Sequence, residues 1–153
     1  MIPRRMLVVG AGNVLAGDDG FGGAVIARLC GREDRPEGVD LLDAGTDVLG
    51  HIETLAAYDE VILVDVVVGA GHAGHVSVFD ERTAAGWTDN PAGAHHLSPL
   101  TAIRLLRVLH PEARTQVTFV ALCADRLALG EVVSDAAVAA GVDAVVRLWG
   151  SNT

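Results

Sequence analysis

Short, uninterrupted apolar runs, each closed by glycine or aspartate, recur along this chain with helical patterns between them. No other feature restricts its fold as much. Met6–Val9 is followed by Gly10-Ala11-Gly12-Asn13, Val39–Leu42 by Asp43-Ala44-Gly45, and Val61–Val64 by Asp65. A run that is apolar at every position, and not at every second one, is a strand covered on both faces. Val76–Phe79 alternates weakly, as an edge strand does, and Val117–Leu122 is a fifth strand. Between these runs, Phe21–Cys30 spaces Phe21, Val25 and Leu29 four apart and ends before Gly31. Thr46 or Asp47 can cap a helix running to about Ala57. Leu100–Leu109 is amphipathic, with Ser98 as cap and Pro99 in the first turn, and Val132–Trp149 forms a last helix with Gly141 as its weak point. Residues Thr83–Ala94 read as loop. The alternation predicts one α/β domain over residues 1–153, a three-layer α/β/α arrangement around a five-stranded, mostly parallel sheet. The short link around Gly69–Gly74 predicts a hairpin between the third and fourth strands, so the sheet is expected to be mixed.

Composition narrows what such a domain can do. Half of the 153 residues are apolar and one fifth are charged, which excludes disorder. Eleven Lys and Arg face twenty Asp and Glu, a formal charge of −9. A surface this acidic argues against nucleic-acid binding, which rests on neutralising phosphate, and against docking on anionic lipid. Cys30 and Cys123 are too few for a disulfide framework and read as buried small hydrophobes in a reducing compartment. No apolar run approaches the roughly 18 residues of a membrane span. Arg4-Arg5 before Met6–Val9 faintly resembles a secretory signal, but Gly10, Gly12 and Asn13 break the run and a strand with its loop fits better. A cytoplasmic protein is therefore expected.

In open parallel sheets ligands bind beyond the carboxyl ends of the strands. Asp18-Asp19, Asp43 and Asp65 all follow strands, so one sheet edge is expected to collect four carboxylates with no Lys or Arg among them. Gathered like charges raise one another's pKa unless they share a cation. His95 and His96 precede the Leu100 helix, and two carboxylates with one imidazole suit a divalent transition metal better than calcium or magnesium. Each residue also has an ordinary explanation. Asp18-Asp19 can cap the following helix, Asp43 can serve the turn at Gly45-Thr46, Asp65 can end a strand, and loop histidines are commonly solvated. His72 and His75 show H-x-x-H spacing in a glycine-rich turn and read as incidental. Gly10-Ala11-Gly12 with Gly17 lacks the third glycine of a dinucleotide fingerprint, since position 15 is Leu, and adjacent acids would repel a pyrophosphate. No G-x-S-x-G elbow is present.

The opening LVVGAGNVLAGDDGFG resembles the start of the hydrogenase maturation endopeptidases: a strand, G-x-G-N, then an acidic pair before G-x-G. DAGTDVLGHIETL at 43–55, VILVDVV at 61–67 and HHLSPLTAIRLL at 95–106 are similar to further family stretches in order and spacing. Ser98-Pro99 departs from the glycine and apolar residue that many relatives carry after the histidine.

The resemblance implies a protease that recognises nickel already held by the precursor of a nickel-iron hydrogenase large subunit. It would cut once after the last metal-binding motif and release a short C-terminal peptide. The family's metal-contacting acid falls on Asp19, its strand-end Asp on Asp65 and its loop histidine on His95, with His96 next in register. Asp43, Gly45 and Thr46 match a motif that implies substrate recognition. The nickel is expected to arrive with the substrate, other divalent ions being able to occupy the same ligands, and the protein is expected to act as a monomer. Either the metal polarises the scissile carbonyl or activates water, or Asp19 or Asp65 acts as an acid-protease-like general base. The alternative is a non-catalytic assembly or metal-sensing module on the same fold; a nucleotide-binding domain is a weaker third reading.

Overall fold

The computed structural model describes residues 2–12, 20–68, 71–87, 98–125 and 132–151. The expected sheet is present. Its strands are β1 (Met6–Ala11), β2 (Val39–Gly45), β3 (Glu60–Val68), β4 (Val76–Asp80) and β5 (Gln116–Ala124). They lie in the order β2-β1-β3-β5-β4. The β1–β2, β1–β3 and β3–β5 pairs are parallel, and β4 runs antiparallel to β5. The helices are α1 (Phe21–Cys30), α2 (Ile52–Ala56, after a 3-10 turn at Leu49–His51), α3 (Glu81–Trp87), α4 (Ser98–Leu109) and α5 (Asp135–Gly150).

The period of two along each strand splits the interior into two cores. Leu7, Val9, Leu63, Val67, Phe119 and Ala121 point to one face and meet Ile52, Leu55, Leu100, Ile103 and Leu106 of α2 and α4. Met6, Val8, Ile62, Val64, Val120 and Leu122 point to the other and meet Phe21, Val25 and Leu29 of α1 and Val138, Val142, Val145 and Trp149 of α5. Burying each such Val, Leu or Ile contributes about 1.5–3 kcal/mol, which is why both faces of the central strands are apolar.

Five local readings are corrected. The fourth strand is an antiparallel edge, but β5 separates it from β3, so the two do not form a hairpin. Thr83–Ala94 is not wholly loop: its first residues belong to α3, Ala84 is buried, and the Arg107–Glu81 ion pair links α4 to α3. Residues 88–94 lie outside the described residues. β3 does not stop at Val64 but pairs with β5 to Val68, so Asp65 is an internal strand residue. Cys30 is exposed, whereas Cys123 is buried as expected. Of the expected caps, Asp47 accepts the Gly50 amide at 2.9 Å, whereas Ser98 is the first residue of α4; α5 is capped by Ser134, which accepts the Ala137 amide at 3.2 Å. Gly141 is a packing site and not a weak point, because a Cβ there would come within 2.5 Å of the Phe21 ring.

Candidate functional site

The winding of the sheet reverses between β1 and β3, and the crevice outside their carboxyl ends is where such folds bind ligands. β1 pairs with β3 only as far as Gly10↔Val64, while β3 continues beside β5 through Val68↔Ala124. Asp65 is the first β3 residue beyond the last β1 partner. Its side chain shares the α2/α4 face with Leu63 and Val67, and the residue is 6% exposed. Oδ1 accepts the Val66 amide at 2.7 Å. A solvated strand-end aspartate would need no such placement, since burying a carboxylate among apolar residues is unfavourable unless it is hydrogen-bonded, paired or bound to a cation.

Asp43 stands at the same edge but on the other face. It is level with Gly10, and its Oδ2 lies over α1, 3.3 Å from where a Cβ on Gly23 would be. Two strand spacings, about 10 Å, separate β2 from β3. The structure therefore does not pool Asp43 with Asp65. Asp43 Oδ1 accepts the Gly45 amide at 3.1 Å, and the Gly45 carbonyl accepts the Gly12 amide at 2.8 Å. This turn ties the end of β2 to the chain leaving β1 and leaves Asp43 and Thr46 exposed at the rim.

Asp18, Asp19, His95 and His96 lie outside the described residues. The elements that adjoin them are described. Gly20 is buried at the start of α1, directly after Asp19. The next turn is wedged into the strand ends: a Cβ on Gly22 would collide with the Ala11 carbonyl and lie 2.5 Å from that of Val64. This close approach was not read from the residues, although the G-x-G of the opening motif carried the signal. On the opposite face α4 begins at Ser98, three residues after His95, and buries Leu100, Ile103 and Leu106 in the same core layer as Leu63 and Val67. Among the described residues no group of three His, Cys, Asp or Glu side chains could hold a metal, and no helix is long and apolar enough to cross a membrane.

Comparison with known proteins follows the same lines. The profile of a family described as hydrogenase maturation protease, HycI, matches residues 24–145. The hydrogenase 2 maturation protease of Escherichia coli K12 is 28% identical over 104 residues, 67% of this chain and 63% of that one. The chain spans less than two thirds of the length of the curated relatives it matches first. Among solved structures, the hydrogenase maturating endopeptidase HybD from E. coli superposes with a TM-score of 0.81 at 22% identity, over 96% of this chain and 93% of that one. A hydrogenase 2 maturation peptidase from a Thaumarchaeota archaeon gives 0.66 at 29% identity, over 96% and 99%.

Proposed function

The chain belongs to the HycI family of hydrogenase maturation proteases, and we propose that it is an endopeptidase that removes a short C-terminal peptide from the nickel-loaded precursor of a nickel-iron hydrogenase large subunit. The observation that carries this reading is Asp65, a carboxylate buried at the β1–β3 crevice where the fold offers a ligand site. With Asp19 and His95 it supplies two carboxylates and an imidazole, donors suited to a divalent transition metal that the substrate brings. The rim at Asp43, Gly45 and Thr46, where Asp43 and Thr46 are exposed, would receive the polypeptide beside the cut. On this reading the protein works in the cytoplasm as a monomer.

Peptide hydrolysis needs a group that takes a proton from water as the oxygen adds to the carbonyl and delivers one to the departing amine. Asp65 or Asp19 can do both in turn. The water ends in the new carboxylate and the proton on the new amino group, so the enzyme is unchanged.

The test is incubation of purified protein with nickel-loaded precursor, followed by mass spectrometry of the precursor's C-terminus. Loss of one C-terminal peptide is expected, with nickel-free precursor left intact. Asp65→Asn removes the base and a metal donor and is expected to slow cleavage by about 10²–10⁴-fold. Undiminished cleavage by Asp65→Asn, or binding of precursor with no cut by the wild type, overturns the reading. The latter outcome would favour an assembly module.

A further inference from the structure

We propose that His72 and His75 form a second metal site, a two-imidazole chelate for a divalent transition ion, separate from Asp65. The inference goes beyond the endopeptidase reading and does not rest on it. The two residues are the first and last of a four-residue β-turn, in which the His75 amide donates to the His72 carbonyl at 3.1 Å. Gly74 holds the third position at φ +84°, the conformation that a type II turn requires there and that favours glycine. Such a turn keeps its end residues within about 7 Å, so their side chains can meet. They do: the imidazole centroids are 5.9 Å apart, with planes inclined at 59°. A metal 2.0–2.1 Å from one nitrogen of each ring, at a tetrahedral angle, would set the centroids about 5 Å apart. The observed spacing is within about 1 Å of that, a small side-chain adjustment.

The turn is also anchored, so little ordering remains for a metal to impose. The Gly74 amide donates to the Cys123 carbonyl at 2.8 Å, and the Cys123 amide donates to the His75 carbonyl at 2.8 Å. Gly71 rests on the buried Cys123 sulfur, where a Cβ would come within 2.7 Å. Cys123 thus supports the turn from β5, while both imidazoles are exposed and leave the remaining coordination positions to water or to a donor from another molecule. Imidazole nitrogen suits nickel, zinc and copper, and the net charge of −9 favours cations near the surface. The site also stands at the carboxyl edge of the sheet: Cys123 pairs with Val67, two residues beyond Asp65.

Untagged full-length protein, labelled with ¹⁵N at histidine, is titrated with zinc chloride while the imidazole resonances are followed. The His72 and His75 signals are expected to move together with one midpoint, as one zinc shared by the pair requires. His72→Gln removes the chelate and is expected to weaken binding at His75 about tenfold or more, and His75→Gln the converse. Gly74→Ala keeps both imidazoles but strains the turn, and it too should weaken binding. Asp65→Asn, which tests the other reading, should leave the midpoint within about twofold. The proposal fails if neither histidine responds at about 1 mM zinc, the concentration of a very weak site. It fails equally if the two titrate at different midpoints, or if His72→Gln leaves His75 unchanged.

Discussion

Directly after α4 the His110 imidazole is held between two carboxylates. Nε2 is 2.8 Å from Glu53 Oε1 and Nδ1 is 3.2 Å from Glu112 Oε1, so the charged ring satisfies both. The Glu53 contact, then the Glu112 contact, raises its pKa above the usual value near 6.5. A histidine whose folded pKa exceeds its unfolded one adds stability that is complete below the unfolded value and is lost as pH rises through the folded one. The melting temperature of the wild type should therefore exceed that of His110→Gln at pH 6, and the gap should close by pH 9, as read by thermal denaturation across that range. A gap independent of pH would mean that the ring acts by packing alone. The same scale shows what single residues could reveal before the fold was known. VILV followed by Asp marked Asp65 as a residue at the crevice, but not as a buried one, because burial follows from β3 running on beside β5 after β1 has ended. Asp43 read as a member of the same acidic edge. The pleat places it on the α1 face instead, and no residue-level pattern announces which face a strand's last acid will take.

At the scale of elements, the contact that shapes the crevice is the seat of α1 on β1 and β3. Gly10 and Gly22 let the backbones touch: a Cβ on Gly10 would lie 2.6 Å from the Gly22 carbonyl, and one on Gly22 would strike the Ala11 carbonyl. Backbone cannot swing aside as a side chain can. Gly22→Ala should destabilise the protein by about 3 kcal/mol, measured by urea denaturation. Gly86→Ala, where a Cβ meets nothing, is the matched control and should change stability by less than about 1 kcal/mol. α1 and α4 were legible because each repeats large apolar residues at helical spacing, Phe21-Val25-Leu29 and Leu100-Ile103-Leu106. α3 was not, since Ala84 is its one fully buried side chain among those described and Gly86 lowers its helix propensity. The place of β4 escaped for a different reason. Its weak alternation shows an edge strand, whereas its neighbour is decided by β5, which arrives some forty residues later and inserts between β3 and β4.

For the whole molecule, stability depends on two separate cores closed by different helices, and the second is closed last in the chain by α5. Its Val138, Val142, Val145 and Trp149 join Phe21, Val25 and Leu29 of α1 in the core built on Ile62, Val120 and Leu122. Trp149 is 4% exposed, yet among the described residues its Nε1–H finds no acceptor. Two opposing effects therefore meet in one side chain. Its apolar area favours the folded state, and its desolvated, unpaired N–H opposes it by about 1–3 kcal/mol. The balance separates two substitutions. Trp149→Ala forfeits the area and leaves a cavity in this core, so it should destabilise by about 3–5 kcal/mol. Trp149→Phe keeps most of the ring and removes the orphaned donor, so the loss of volume and the relief of the N–H should nearly offset, with a net change within about 1 kcal/mol. Equilibrium denaturation of the three proteins decides it. A Trp149→Phe loss as large as that of Trp149→Ala would show that the indole nitrogen has a partner, a buried water included, and that this core depends on a polar contact as well as on packing.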